Sequence, residues 1–198
     1  MKIKKPVYLL ILTCMAVFIF AGCGKSDNTS KLSGLHHVEI EVEDYGTISV
    51  ELDADSAPIT VTNFLNLVGD KFYDGLTFHR IIDGFMIQGG DPKGDGTGGS
   101  DETIKGEFSS NGVKNPLSHT RGAISMARSP SSNDSASSQF FIVHKDSTGL
   151  DGDYAVFGHV TDGMDIVDKI CKDTPVQDNN GTVKAEDQPV ITSIKKID

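Results

Sequence analysis

At 198 residues the chain can hold one domain with a substantial core and is short for two. With 37% apolar and 23% charged residues and 21 glycines, it reads as a globular protein of strands and turns rather than a helix bundle. Its formal net charge of −10 argues against the basic footprint that nucleic acid needs, and against an electrostatic hold on anionic lipid.

Lys2, Lys4 and Lys5 make a basic start, and Val7 to Phe20 is an apolar run broken only by Thr13 and Cys14. That run is short for a membrane span. Phe20-Ala21-Gly22-Cys23 follows. The series resembles the lipobox of bacterial lipoproteins, with Phe20 standing where a leucine is usual. The resemblance implies that residues 1–22 are a cleaved signal peptide and that Cys23 carries lipid. Residues 23–35 then form the lipidated N-terminus and a flexible tether, since Gly24 to Gly34 is small and polar. The domain, residues 36–198, would be extracytoplasmic and tied to the cell membrane only through Cys23. The alternative is an ordinary cleaved signal with an incidental cysteine. Cys171 would be left without a thiol partner, so no intramolecular disulfide forms, and its helical setting makes it a core residue.

Within the domain, Val38, Ile40 and Val42 alternate with Glu39, Glu41 and Glu43, the pattern of a half-buried strand. Asp44-Tyr45-Gly46 turns the chain, and Ile48, Val50 and Leu52 complete a hairpin. Asp55 or Ser56 can cap a helix starting near Pro58, with Val61, Phe64, Leu65 and Val68 at helical spacing and Gly69 as its stop. Short strands are predicted around 77–82, 85–89, 123–127, 139–143 and 154–160. A second helix follows Asp162-Gly163, carrying Met164, Ile166, Val167 and Ile170, and Val190, Thr192 and Ile194 alternate at the end. The fold class expected is mainly β: a closed eight-stranded antiparallel barrel capped by two α-helices.

The strand periodicity also locates chemistry. Met86 and Gln88 share one face of their strand while Ile87 takes the other; Gln139 and Phe141 likewise oppose Phe140 and Ile142. One face of each strand is wholly apolar and belongs to the core. The other mixes a glutamine with bulky apolar groups, which suits an apolar cup with a few polar contacts.

At these residues the chain resembles the cyclophilin family. The block Phe78-His79-Arg80-Ile81-Ile82-Asp83-Gly84-Phe85-Met86-Ile87-Gln88-Gly89-Gly90-Asp91 carries the likeness. So do Gly96-Thr97-Gly98-Gly99, Gly122 to Ala127, Ser137 to Ile142, Leu150-Asp151-Gly152 and Val156-Phe157-Gly158, in the family's order. The resemblance implies a peptidyl-prolyl cis-trans isomerase acting on proline-containing polypeptides as secreted or surface proteins fold. It implies Arg80, Gln88 and Phe141 as catalytic. His79, Phe85, Met86, Ala127, Arg128, Ser129, Gln139, Leu150 and Tyr154 would bind substrate. No cofactor or metal is called for, and a monomer is expected. Three positions depart from the family: Arg128 stands where many members have Asn, Gly149 where cyclosporin-sensitive members commonly carry Trp, and Tyr154 where they carry His. These leave catalysis intact and put cyclosporin sensitivity in question.

Other motifs are weaker. Asp91, Asp95, Gly96 and Glu102 fall at calcium-loop spacing, but Lys93 occupies a position that needs an oxygen ligand. The Gly94–Gly99 loop lacks a phosphate-loop ending, and serine-rich Ser129 to Ser138 contains no hydrolase elbow. His36-His37 reads as a surface pair. A non-catalytic module holding proline-containing partners is the competing function.

Overall fold

The computed structural model describes Met1 and residues 31–198. The signal-peptide, Cys23 and most of the tether readings therefore lie outside the described residues. Among those described, no helix is long and apolar enough to cross a membrane.

Eight strands form one antiparallel sheet: β1 (Leu35–Val42), β2 (Gly46–Asp53), β3 (Thr77–Ile82), β4 (Met86–Asp91), β5 (Ala123–Met126), β6 (Phe140–Val143), β7 (Val156–Asp162) and β8 (Ile191–Lys196). Two helices accompany it, α1 (Pro58–Gly69) and α2 (Met164–Asp173). The strand order is β3-β4-β6-β5-β7-β2-β1-β8. The expected hairpin is β1–β2, in register from Leu35 opposite Asp53 to Val42 opposite Gly46. The chain is tied down ahead of it: the Leu32 N–H donates to Thr62 Oγ1 (2.9 Å) and the Gly34 N–H to Asp55 Oδ1 (2.8 Å).

The expected closed barrel is corrected. The sheet is an open, curled half-barrel, because its edge strands β3 and β8 form no ladder with each other. β8 runs along β1. The free edge of β3 is instead satisfied by irregular chain: Ile81 N–H donates to the Gly181 carbonyl (2.8 Å), Val183 N–H to His79 (3.0 Å) and Phe78 N–H to Pro189 (2.9 Å). Such cover removes the hazard of an unpaired edge without closing the sheet. Gly181 makes the approach possible. Its φ is +80°, and a β-carbon there would lie 2.2 Å from the Ile81 carbonyl oxygen.

The concave side encloses the main core. Phe64 of α1 meets Phe140 edge to face at 5.6 Å, and Tyr73 and Phe78 pack on the same Phe140 at 5.7 and 6.1 Å. Tyr73 is fully buried, yet its hydroxyl donates to the Ser138 carbonyl (3.1 Å), and burial pushes its pKa well up. Cys171 is buried in this core. Its thiol is pushed up to about 12, chiefly by burial, as suits an inert packing residue.

The cap of α1 differs from expectation. Its N-cap is Ala57, with no side-chain bond of its own, while Asp53 accepts from the Asp55 and Ser56 N–H groups in the turn before it. The helix's open N–H groups are taken by a residue far along the chain. The Glu107 carboxylate, only 2% exposed, accepts from the Ile59 and Thr60 N–H groups (2.9 and 2.8 Å) and from the Thr60 hydroxyl (2.8 Å). Its negative charge also suits the positive end of the helix dipole.

Glu107→Ala should therefore leave buried donors unsatisfied. Thermal unfolding should show a loss of about 1.5–3 kcal/mol, a fall in Tm of about 3–12 °C. A change within about 0.5 kcal/mol would mean that the carboxylate does not support α1.

Candidate active site

The site is set out by strand register. β3 places Arg80 opposite Gln88 of β4, β4 places Gln88 opposite Phe141 of β6, and β6 places Phe141 opposite Ser125 of β5. Alternation then divides the side chains as the sequence implies. Ile87, Phe140 and Ile142 enter the main core, while Met86, Phe141 and Val143 join Ala123 and Val156 in a second apolar cluster on the opposite face. Phe85, Ala127, Leu150 and Tyr154 extend that cluster as partly buried walls.

Over it lies a cavity of about 500 Å³. Arg80, Gln88 and Phe141 line it, as do His79, Phe85, Met86, Ala127, Arg128, Leu150 and Tyr154. Ser129 and Gln139 line a neighbouring cavity of about 360 Å³, which shares Gln88, Gly96, Ala127 and Arg128 with the first. The twelve side chains named from the sequence thus fall in two adjoining hollows on one face.

A chain of side-chain hydrogen bonds fixes the polar wall. Arg80 Nη1 donates to Gln88 Oε1 (3.2 Å), Gln88 Nε2 donates to Gln139 Oε1 (2.9 Å), and Gln139 Nε2 donates to the Gly98 carbonyl (2.7 Å). Both ends dictate the direction, since a guanidinium can only donate and a carbonyl can only accept. Each glutamine therefore has one possible amide orientation. On its other side Arg80 Nε donates to the Asn180 carbonyl (2.8 Å) and Nη2 to Asn180 Oδ1 (3.2 Å). One N–H on each terminal nitrogen is left without a partner among the described residues. Partial burial lowers the Arg80 pKa, against the pull of Tyr154 and Asp178, but an arginine has far to fall and stays ionised.

His79 is buried, and neither ring nitrogen finds a hydrogen-bond partner among the described residues. Burial lowers its pKa, with Asp91 opposing, so the ring stays neutral and serves as wall. Asp91 holds the adjacent loop by accepting from the Lys93, Asp95 and Gly96 N–H groups (2.8, 3.2 and 2.6 Å). N–H donors around a carboxylate repel a cation, which disposes of the calcium-loop spacing.

Beneath the cup is an arrangement the sequence did not suggest. His119 is fully buried and its ring stacks parallel to Phe141 at 5.9 Å. Nδ1 lies 2.7 Å from Asp151 Oδ1, and Nε2 lies 3.1 Å from Ser125 Oγ. The carboxylate fixes the tautomer: Nδ1–H donates to Asp151 and Nε2 accepts from the serine hydroxyl. The set copies the order of a hydrolase triad, but Ser125 has no exposed surface and cannot meet a substrate. It is a polar footing for the ring of Phe141. His119 and Asp151 are 32 residues apart, and no local pattern pairs them. Asn180 escaped notice for the same reason, lying 100 residues from Arg80.

At the departures from the family, Gly149 faces open space, with nothing within 4 Å of a β-carbon placed there. The Arg128 guanidinium lies 4.8 Å from the Tyr154 ring centre and 5.3 Å from that of Phe108. Tyr154 in turn packs edge-on to Phe141 at 6.0 Å.

This geometry agrees with the comparisons. The family model described as cyclophilin type peptidyl-prolyl cis-trans isomerase/CLD matches residues 37–196. Peptidyl-prolyl cis-trans isomerase B of Bacillus subtilis is 49% identical over 124 residues, covering 63% of this chain and 82% of that protein. A probable peptidyl-prolyl cis-trans isomerase of Brucella suis is 38% identical over 192 residues, 91% of this chain and 93% of its own. The crystal structure of a Cryptosporidium parvum cyclophilin type isomerase, in the presence of the dipeptide Ala-Pro, superposes with a TM-score of 0.72 at 30% identity. It covers 82% of this chain and 99% of that one. The chain belongs to the cyclophilin-type peptidyl-prolyl cis-trans isomerase family. It is an isomerase of the X-Pro peptide bond.

The buried imidazole makes stability pH-dependent. Burial lowers the His119 pKa below the usual value, opposed by Asp151, so the unfolded chain binds its proton more readily. Stability should fall as pH drops below about 6.5. His79 acts with the same sign. Asp151 enters only in stronger acid: burial by itself would raise its pKa, but hydrogen bonds from Ser118 and His119 hold it below the carboxylate norm. In His119→Gln the slope of unfolding free energy against pH, between about pH 5 and 7, should be shallower than in the wild type. Equal slopes would assign the dependence to other groups.

Proposed function

We propose that Arg80 drives the isomerisation by stabilising the twisted X-Pro bond, and that the enzyme does so outside the cytoplasm, tethered by lipid on Cys23. The observation that carries the first part is the restrained guanidinium at an apolar cup. Rotation about a peptide bond must cross about 18–20 kcal/mol, because the nitrogen lone pair is shared with the carbonyl. In the twisted state that sharing is lost. The nitrogen becomes pyramidal and turns into a hydrogen-bond acceptor that the planar ground states lack. A cation placed near it favours the transition state over both isomers, which is the condition for catalysis.

The remaining parts divide the work. Phe141, Met86, Phe85 and Leu150 bury the proline ring in cis, trans and twisted forms alike, and so hold the substrate without choosing among them. Gln88 and Asn180 keep Arg80 from following the nitrogen, so the donors are set before the reaction begins. Gln88 and Gln139, with backbone groups of Ala127, Arg128 and Ser129, contact the peptide chain on either side of the proline. No proton is transferred, and a neutral His79 is consistent with a wall residue.

The extracytoplasmic setting rests on the basic, apolar and small-residue series that ends at Cys23. Leu32 is bonded to the domain at Thr62, and the small, polar composition of Gly24 to Gly34 suits a tether. Clients would be proline-containing secreted or surface proteins, folding where X-Pro exchange is otherwise slow.

Arg80→Ala should slow turnover of an X-Pro peptide by roughly ten- to several-hundredfold while peptide affinity changes little, from about 1.5–3 kcal/mol or more of charge-assisted bonding. Arg80→Lys should recover little of it, since a point charge on a flexible stem does not reproduce the fork. Phe141→Ala should weaken affinity and turnover together. A folded Arg80→Ala enzyme with wild-type turnover would reject Arg80 as the source of the rate. For anchoring, Cys23→Ala should release the protein from membranes or leave it uncleaved. Normal processing with full membrane retention would end the lipoprotein reading.

A further inference from the structure

We infer that Arg128 makes this enzyme selective for polypeptides that carry an acidic side chain within a few residues of the proline. The inference rests on the proline site proposed above and adds the chemistry of the sequence around it.

Arg128 lies between the two hollows and lines both. Two aromatic rings, Tyr154 and Phe108, hold its guanidinium by their faces. Its Nε donates to the Asp153 carbonyl (2.9 Å) and its Nη1 to the Ser129 carbonyl (3.1 Å). These contacts fix the group in the groove and still leave three of its five N–H donors without a partner among the described residues. No carboxylate lies within ion-pairing distance of it among the described residues. Arg121, by contrast, is paired with Asp168 at 2.8 Å.

The second hollow supplies the room. Arg128 is the one charged residue lining it, and the rest of its polar lining is neutral: Gln88, Thr97, Ser129, Ser135, Ser137 and Gln139. Hydroxyls and a single half-buried cation, with no competing anion, suit a carboxylate better than an ammonium or an apolar side chain. The shared wall of Gln88, Gly96 and Ala127 makes the two hollows neighbours, so proline and acid must be close in sequence. The carboxylate that lines the first hollow, Asp95, does not line the second, and its Oδ1 accepts from the N–H and hydroxyl of Thr97 (2.9 and 2.7 Å).

The test uses the full chain and peptides with one proline, carrying Glu, Gln or Lys in turn at each of the three positions before and after it. Glu and Gln differ in charge and hardly in shape. At one or more positions the wild type should show kcat/KM for Glu about three- to tenfold above Gln, with Lys below both, the preference shrinking as salt is raised. In Arg128→Gln the Glu-to-Gln ratio should fall to about one, and in Arg128→Glu the order should reverse in favour of Lys. A ratio near one at every position in the wild type, or one unchanged in Arg128→Gln, would overturn the inference and leave the proline site standing. Absence of turnover on every peptide, including the neutral ones, would overturn both.

Discussion

The hydrogen-bond register across β3, β4, β6 and β5 sets Arg80 beside Gln88, Gln88 beside Phe141 and Phe141 beside Ser125. Every property of the groove depends on that row. Side chains on a strand alternate with a period of two, so a slip of one residue in β6 would turn Phe141 into the core and Phe140 out to water. The packing forbids it. Phe140 already meets Phe64, Tyr73 and Phe78, and Phe141 already meets His119 and Tyr154. Each face has its own apolar partners, and the two sets cannot be exchanged. A reactive cation and its apolar cup are thus delivered to one place by the same packing that stabilises the sheet.

Arg80 shows how a flexible side chain is made rigid. A guanidinium in a partly dry groove loses hydration, which the lowered pKa reflects. Asn180 and Gln88 return part of the lost hydrogen bonding, and Gln88 is itself oriented by Gln139 and the Gly98 carbonyl. The donors that remain are thereby fixed in advance, as the proposed stabilisation of a twisted nitrogen requires. Asn180 stands on the irregular segment that covers the edge of β3. Had β8 closed the barrel along that edge, the carbonyl that receives Arg80 Nε would have no place there. The open sheet and the held arginine are in this sense one feature.

What could be read from the sequence was whatever depends on neighbours along the chain. The hairpin, both helices, the split of Phe140 from Phe141 and of Met86 from Ile87, and the twelve groove residues all follow from local periodicity or motif. What escaped depends on residues distant in sequence. The closed barrel was an over-reading, because strand count says nothing of whether the last strand meets the third. The cap of α1 was sought in Asp55 or Ser56, yet it is Glu107, buried and 48 residues from Ile59. His119 is one histidine in a polar stretch of sequence, and only the fold sets it between Asp151, Ser125 and Phe141. Arg128 was visible as a departure, but its seat against Tyr154 and Phe108 was not.

Charge at Arg80, held where it is, is what we propose lowers the rotational barrier. Replacing Arg80 by citrulline through semisynthesis removes the charge and keeps the planar head and its length, so that Asn180 can still be met. Peptide exchange and peptide affinity would then be measured on the same folded protein. Turnover should fall by about fivefold or more with affinity within about twofold, since a charge-assisted bond exceeds a neutral one by roughly 1 kcal/mol or more and each 1.36 kcal/mol is about tenfold. Turnover equal to that of the arginine enzyme would contradict the claim and leave orientation and the apolar cup as the source of the rate.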